Sequence, residues 1–462
     1  MYDTVRSVNG SSSFEAVATG VSGALAGTEI TSTEPVGTGL LVAGITIFIL
    51  AYAAIATDRI PKSAIALGGG ALMILIGILN QEQAFHHVDL NVILLLVGMM
   101  VLAGIVRKTG CFQALAILAA RWTGGDGLRL MLALSLITAV LSAFLDNVTT
   151  VILIAPITVF VATRLKLNPV PFFIAEILAS NVGGAATLIG DPPNILIASA
   201  GDLDFAVFIA HMGPPSIIFL IFTMFYLRRV FASQLVTDPA RAEALAALKP
   251  GDAITDRRGM YIGLGVLSLT IFGFLIHGAL GWEPATVAIA GAALLMILTR
   301  PDAHEVFNEV EWASVLFFVG LFMMVAGLIE LGALKAVSDF AIELTQGNVA
   351  ATAFLVLWLS AILSAVVDNI PYTATMLPVI QQLTAEGLNP DNILWWSLAI
   401  GADLGGNATI IGASANVILA GIAEREGHKI GFMQFVRYGV PLTIVILILG
   451  TGWIWLRYLA FA

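Results

Sequence analysis

The sequence has little charge and almost no cysteine. Only 11% of its 462 residues are charged, whereas 58% are hydrophobic, and a soluble domain is about a quarter charged. The formal net charge is −10 and no basic run is present, which argues against nucleic acid as a partner. Cys111 is the single cysteine, so the sequence excludes an intrachain disulfide and argues against a thiolate metal cluster. This composition is typical of a protein embedded in a lipid bilayer.

Long apolar runs that end at charged or turn residues predict ten membrane spans. They cover residues 38–57, 63–80, 91–106, 171–199, 213–230, 259–277, 284–299, 312–330, 391–422 and 437–460. Residues 1–36 are rich in Ser, Gly, Thr and Glu and lack the regions of a signal peptide, so we interpret them as a disordered polar tail.

Two further apolar stretches, residues 129–163 and 350–384, are each interrupted in the middle by Asp-Asn. About 20 residues cross the hydrocarbon core, so each stretch is too long for one straight helix. A polar break at that depth is tolerated where it is buried in protein or lines a cavity. We interpret both stretches as re-entrant hairpins; two ordinary spans per stretch is the alternative, which the charge pattern does not exclude.

The distribution of Lys and Arg predicts the orientation, because these residues concentrate in cytoplasmic loops. Arg129 and Arg164 flank the first hairpin, so we expect it to open to the cytoplasm. The second hairpin lies in a segment without Lys or Arg, residues 336–424, and therefore opens to the other side. This assignment puts the N-terminus outside and a polar linker, residues 231–258, in the cytoplasm.

The sequence contains an internal repeat with an offset of 222 residues, in which Asp146-Asn147 recurs as Asp368-Asn369. The same offset aligns Leu141-Ser142-Ala143 with Leu363-Ser364-Ala365, Gly183-Gly184 with Gly405-Gly406, Ala186-Thr187 with Ala408-Thr409, and Asn194 with Asn416. The halves, residues 37–230 and 259–462, each hold five spans and one hairpin, and because five is odd the second half is inverted. The predicted fold is an all-α polytopic membrane protein of two inverted repeats, which is typical of secondary transporters.

The Asp-Asn pairs are the leading candidates for ion binding. A carboxylate at the bilayer centre costs about 2.5–3.5 kcal/mol on insertion scales and is retained where it has a function. Asp146 and Asp368 supply charge, Asn147 and Asn369 supply amide oxygens, and such hard ligands suit Na⁺ or a proton. The alternative, that each Asp only caps the following helix, is compatible with this role. The nearby hydroxyls of Thr149, Thr150 and Thr373 complete the set.

A second polar element occurs in both halves, "SNVGGAATLIGDPPNILIAS" at 180–199 and "ADLGGNATIIGASANVILAG" at 402–421. Gly and Pro do not continue a helix here, so we expect each span to unwind and to direct its helix ends at the site. A phosphate loop is excluded, because no G-x-x-x-x-G-K-[ST] is present. The candidate residues are Ser180, Asn181, Gly183, Gly184, Thr187, Asp191, Asn194, Asp403, Gly405, Gly406, Asn407, Thr409, Ser414 and Asn416.

Five residues in these elements carry further expectations. We place Asp191 and Asp403 inside the unwound segments. Glu176, one turn before the first of these segments, is a candidate proton carrier, with an ion pair or an interfacial position as alternatives. We assign Trp395 and Trp396 to an interfacial aromatic belt.

The sequence resembles the ArsB/NhaD family of the ion-transporter superfamily, and within it the melanosomal P protein-like permeases. The resemblance rests on "VLSAFLDNVTTVILIAPIT", "AEILASNVGGAATLIGDPPNILI", "DNIPYTATMLPVI" and "GGNATIIGASANVILAGIAEREG". It implies a homodimer whose protomers each have a scaffold domain and a transport domain that moves as an elevator. In related sodium-coupled dicarboxylate carriers the hairpin tips read Ser-Asn-Thr. Here Asp146 and Asp368 replace the Ser, and two extra negative charges would repel a dicarboxylate.

Three functional classes follow from these residues. The first is a proton-coupled antiporter of a small cation such as Na⁺, with Asp146, Asp368 and Glu176 as proton-coupling candidates. No Lys or Arg lies inside the hairpins or broken spans, so we expect no fixed cation beside the acids. The second is an arsenite or antimonite efflux permease, or an anion or dicarboxylate carrier. The third, an intramembrane protease, fails because Leu188, Ile189 and Gly190 precede Asp191 instead of Gly-x-Gly.

We therefore expect a transporter rather than an enzyme. The expected partners are the bilayer and a small cargo, with no cofactor beyond a bound Na⁺. The expected location is a prokaryotic inner membrane.

Overall fold

The computed structural model describes residues 38–57, 59–246 and 249–460, and the regular structure in these ranges is helical. Residues 44–462 form one compact unit. Of residues 1–43, only 38–43, the start of the first helix, are described. The predicted polar tail lies outside the described residues.

Ten α-helices occur among the described residues of the first half. They are α1 (Thr38–Ala56), α2 (Lys62–Leu75), α3 (Gln81–His86), α4 (Leu90–Lys108), α5 (Cys111–Trp122), α6 (Gly127–Phe144), α7 (Asn147–Leu165), α8 (Val170–Gly184), α9 (Pro192–Gly201) and α10 (Phe205–Phe231). A short helix in the linker, α11 (Pro239–Ala246), follows.

The second half repeats this order. Its helices are α12 (Arg257–Leu280), α13 (Pro284–Thr299), α14 (Ala303–Phe307), α15 (Trp312–Glu330), α16 (Ala333–Thr345), α17 (Val349–Ser364), α18 (Asn369–Ala385), α19 (Ile393–Gly405), α20 (Ser414–Arg425) and α21 (Phe432–Ile454). Within the described ranges, eight helices are long and apolar enough to cross a membrane.

The predicted spans correspond to helices, and the two spans expected to unwind do so. Residues 171–199 divide into α8 and α9, and residues 391–422 divide into α19 and α20. Helices α5 and α16 are not among the predicted spans. Both are short amphipathic helices without a continuous apolar run, so a search for spanning segments does not detect them.

Most corresponding helices of the two halves begin 222 residues apart. The matched starts are Lys62 and Pro284, Leu90 and Trp312, Cys111 and Ala333, Gly127 and Val349, Asn147 and Asn369, and Pro192 and Ser414. The helix packing matches as well. A Cβ added to Gly98 would lie 2.8 Å from the backbone of Ala288, and one added to Gly320 would lie 2.3 Å from the backbone of Ala66. Helix α4 of the first half thus packs on α13 of the second half. In the equivalent way, α15 of the second half packs on α2 of the first half.

Each Asp-Asn pair lies at the turn between two helices. Asp146 precedes α7, and its carboxylate accepts a hydrogen bond from the backbone N–H of Thr149 at 2.9 Å. Asp368 precedes α18 and accepts from the backbone N–H of Ile370 at 3.3 Å. Both aspartates therefore cap the following helix, as the sequence suggested.

The broken helices pack tightly on these hairpin segments through glycine. A Cβ on Gly183 of α8 would lie 2.1 Å from the carbonyl oxygen of Ala139 in α6. The equivalent Cβ on Gly405 of α19 would lie 2.5 Å from the backbone of Ala361 in α17. Only glycine permits so close an approach of two backbones, and this contact fixes each break beside a hairpin tip.

Candidate functional site

The two hairpin tips meet at the carboxylate of Asp191. The side-chain amide of Asn147 donates to Asp191 Oδ2 at 2.8 Å, and that of Asn369 donates to the same oxygen at 3.3 Å. Asp191 precedes α9 but makes no side-chain capping bond, so its oxygens are free to accept from both tips. All three side chains are at least 98% buried.

The first tip is also joined to the first break through the backbone. The N–H of Asn147 donates to the carbonyl oxygen of Gly190 at 3.1 Å. Asn147 therefore binds Gly190 through its backbone N–H and Asp191 through its side-chain amide.

A chain of asparagines connects the two breaks. The amide of Asn181 donates to Asn407 Oδ1 and to Asn416 Oδ1, both at 2.9 Å, while its own Oδ1 lies 3.4 Å from Asn147 Nδ2. These residues are buried, and buried amides need such partners. The second break is therefore tied to the first tip.

The unwound segments are stabilised in the same way in both halves. Thr187 donates from its hydroxyl to the carbonyl oxygen of Ala143, and Thr409 donates to that of Ala365 at 2.5 Å. These bonds fasten each break to the end of the preceding hairpin helix.

Equivalent asparagines satisfy the carbonyl groups that each break leaves without a helical partner. Asn194 donates to the carbonyl oxygen of Gly184 at 3.2 Å, and Asn416 donates to that of Gly406 at 2.8 Å. The glycine pairs thus shape the site through their backbone.

The prediction that Asp403 lies inside the unwound segment is wrong. Asp403 lies in the last turn of α19, two residues before the break. It is fully buried, and neither carboxylate oxygen has a hydrogen-bond partner among the described residues. The amide of Asn194 faces it, and Asn194 Oδ1 is also unpartnered there.

The two hairpin aspartates have different surroundings. Lys62 at the start of α2 places Nζ 2.6 Å from Asp368 Oδ2, and the hydroxyl of Ser414 donates to the same oxygen at 2.6 Å. The expectation that no fixed cation lies beside the acids is therefore wrong. Lys62 belongs to neither a hairpin nor a broken span, so the sequence of those segments does not predict its ion pair with Asp368.

In the part of the chain that the structure describes, no lysine forms an ion pair with Asp146. Its carboxylate accepts from the backbone N–H and the hydroxyl of Thr149. Burial and the negative charge of Asp146 raise the pKa of Glu311, which lies just before α15. A cavity of about 240 Å³ lies beside Thr149 and Glu311, so space for a small solute adjoins the first tip.

Several expected residues lie apart from this cluster. Glu176 accepts from the hydroxyl of Thr158 and is 1% exposed, so the interfacial position is wrong. Thr150 and Thr373 are buried, and their hydroxyls have no partner within the described ranges.

Ser180 adjoins the first hairpin instead of a tip. Its hydroxyl lies 3.1 Å from that of Ser142. This contact joins α8 to α6.

Trp395 and Trp396 do not form an interfacial belt. Both are about 2% exposed or less, and the ring N–H of Trp396 donates to the carbonyl oxygen of Asp391 at 3.1 Å. The belt prediction is wrong because α19 is surrounded by other helices.

Tyr52 of α1 is a second neighbour of the second hairpin tip that the sequence does not predict. Its hydroxyl donates to the carbonyl oxygen of Pro371 and lies 2.5 Å from the hydroxyl of Thr375. Lys62 and Tyr52 are more than 300 residues from their partners, and no local pattern links such distant positions.

The site therefore contains four buried carboxyl groups and one nearby ammonium group. The carboxyl groups belong to Asp146, Asp191, Asp368 and Asp403, and the ammonium belongs to Lys62. Because the charges do not balance, the site has the chemistry to take up cations or protons.

Known proteins resemble this chain over most of its length. The citrate transporter family CitMHS matches residues 52–401. A transporter of Mycobacterium tuberculosis strain H37Rv, described as uncharacterized, is 44% identical over 424 residues, which cover 90% of this chain and 98% of the relative. The human P protein is 34% identical over 485 residues, covering 85% of this chain and 57% of that longer protein.

The fold also matches a solved transporter. The crystal structure of the Alcanivorax borkumensis YdaH transporter aligns with a TM-score of 0.58 and 16% identity, covering 91% of this chain and 98% of that one. The likeness to the P protein is confirmed, and the ArsB/NhaD assignment stays a prediction. The chain is an integral membrane secondary transporter, and it belongs to the CitMHS citrate transporter family.

Proposed function

We propose that the protein exchanges a small cation such as Na⁺ for protons. The observation that carries this proposal is the convergence of Asn147 and Asn369 on Asp191, with three further buried carboxyl groups nearby. Net negative charge inside a membrane protein is costly unless protons or cations neutralise it. Carboxyl groups that bind either species, but not both at once, couple the two fluxes by competition.

The residues have distinct proposed roles. Asp146 and Asp368 are the coupling carboxylates, because they lie at equivalent hairpin tips, each in the turn between two helices. Asp191 holds the two tips together. Glu176 is a further proton-coupling candidate, since its Oε2 is buried without a partner among the described residues. Na⁺ is cargo in this scheme, and no resident cofactor is needed.

The proposed architecture is a pair of inverted repeats, residues 37–230 and 259–462, joined by a cytoplasmic linker, residues 231–258. The first hairpin, residues 129–163, opens to the cytoplasm, and the second, residues 350–384, opens to the outside. The matched helix starts and the matched glycine contacts support the repeat. The N-terminus would then lie outside a prokaryotic plasma membrane, and a homodimer would carry two elevator-like transport domains.

A second candidate is transport of an organic carboxylate such as citrate. The name of the family suggests it, and Lys62 supplies a positive charge beside the second tip. Against it, four buried carboxyl groups surround one lysine, and they would repel an anion unless protons or cations accompanied it.

A flux screen separates these functions. Purified protein in proteoliposomes with an internal pH-sensitive dye would be exposed to Na⁺, Li⁺, K⁺, citrate and arsenite, one at a time. We expect Na⁺ or Li⁺ to drive proton movement in the opposite direction. Proton movement driven only by citrate or only by arsenite would refute cation exchange and support the corresponding alternative.

A further inference from the structure

Lys62 and Asp368 form an ion pair that links α2 to the second hairpin tip. Their charged atoms are 2.6 Å apart, the side chain of Asp368 is 4% exposed and that of Lys62 is 24% exposed. Because water has little access to the carboxylate, the lysine is a principal source of positive charge for it.

The pair has no counterpart in the first half. At an offset of 222 residues, Pro284 stands where Lys62 would be, and the capping contacts of Asp146 come from Thr149. Among the described residues, an ion pair with a lysine therefore distinguishes the second tip from the first.

The side chain of Tyr52 also contacts the second hairpin tip. Tyr52 of α1 donates to the carbonyl oxygen of Pro371, one turn into α18, and lies against Thr375. Lys62 and Tyr52 thus fasten the beginning of α18 to α1 and α2.

We propose that Lys62 is a resident counter-cation that competes with the transported cation for Asp368 and holds the second hairpin tip while the cargo is absent. A cation or proton that binds the carboxylate of Asp368 removes the attraction for Lys62, because the oxygen cannot neutralise two positive charges. The tip then loses its ion pair and keeps the contacts of Tyr52, Ser414 and Asn369. Glu311 is a further carboxyl group near enough for the charge of Lys62 to act on it. The competition between Lys62 and the cargo cation for Asp368 rests on the proposed cation exchange. The stabilisation of the second hairpin tip by Lys62 does not rest on it.

The test uses Lys62→Gln, with Lys62→Arg as the variant that keeps the charge and Lys335→Gln, an exposed lysine on α16, as the matched control. Binding of radioactive Na⁺ to the purified protein is measured without transport. We expect Lys62→Gln to bind Na⁺ roughly tenfold more tightly, which corresponds to about 1.4 kcal/mol. Lys62→Arg and Lys335→Gln should bind as the unmodified protein does.

Hydrogen exchange without any cargo provides the independent readout. The backbone amides of residues 366–375 should exchange faster in Lys62→Gln than in Lys335→Gln, because the tip has lost its ion pair. Unchanged exchange and unchanged Na⁺ affinity in Lys62→Gln would overturn the proposal. If the unmodified protein binds no Na⁺, the proposed cation exchange fails, and faster exchange of the tip would still support its fastening by Lys62.

Discussion

Asn369 donates its side-chain amide to Asp191 at 3.3 Å across 178 residues of sequence. The two residues belong to different halves of the chain, and Asn147 contacts the same carboxylate from the first half. One acidic side chain thus connects two tips that the repeat alone would leave separate. The site is therefore shared between the halves and is not duplicated.

Asp191→Asn tests this connection. An amide at position 191 has a single accepting oxygen, so its NH₂ group would replace the second carboxylate oxygen, to which Asn369 also donates at 3.4 Å. Each buried polar group left unpaired costs about 1–3 kcal/mol. We expect cargo-dependent proton flux in proteoliposomes to fall at least tenfold. Asp339→Asn, an exposed position on α16, is the control. Equal flux in both variants would show that Asp191 does not organise the site.

Gly183→Ala tests the close packing of the first break. The added Cβ would lie 2.1 Å from the carbonyl oxygen of Ala139, and overpacking of this kind costs about 1–3 kcal/mol. The thermal unfolding midpoint in detergent should therefore fall. Gly421→Ala is the matched control, because it lies within α20 and has no atom within 4 Å of the added Cβ. Equal midpoints for both variants would contradict this packing.

Asp403→Asn tests the unpartnered carboxyl group. Asn181, at the equivalent position, donates to Asn416 at 2.9 Å, whereas Asp403 makes no such bond to Asn194. An amide at position 403 can donate to Asn194 Oδ1, and such a bond contributes about 1 kcal/mol. We expect the unfolding midpoint of Asp403→Asn to equal or exceed that of the unmodified protein, and that of Asp403→Ala to be lower. A midpoint for Asp403→Asn as low as that for Asp403→Ala would contradict this interpretation.

Single cysteines test the proposed inversion of the halves. Lys166→Cys and Glu386→Cys replace exposed residues at the ends of the two hairpin segments, in a chain whose own cysteine is removed by Cys111→Ser. In intact cells, a membrane-impermeant maleimide should label position 386 and not position 166. Permeabilised cells, in which both positions should react, provide the control. Labelling of both positions in intact cells would place them on the same side.

Much of this architecture could be predicted from local sequence. Apolar runs predict helices because the bilayer requires backbone groups to be bonded within the segment. Asp146 and Asp368 were recognised as helix caps, since capping depends on residues three positions apart or fewer. The break after Gly184 follows from glycine and proline chemistry, and the break after Gly405 follows from glycine chemistry.

The errors concern contacts between distant segments. The burial of Trp396 follows from the helices that surround α19, and Lys62 meets Asp368 across 306 residues. The sequence predicts Asp403 inside the unwound segment, whereas α19 extends past it to the first glycine of the Gly pair. A single sequence contains no record of these placements.

The central claim is that Asp146 and Asp368 couple cation movement to proton movement. The most direct measurement is cargo-dependent proton flux in proteoliposomes for Asp146→Asn, Asp368→Asn and the double variant, each at matched protein content. We predict that each single variant loses most of the coupled flux and that the double variant loses all of it. Full coupled flux in both single variants would contradict the account.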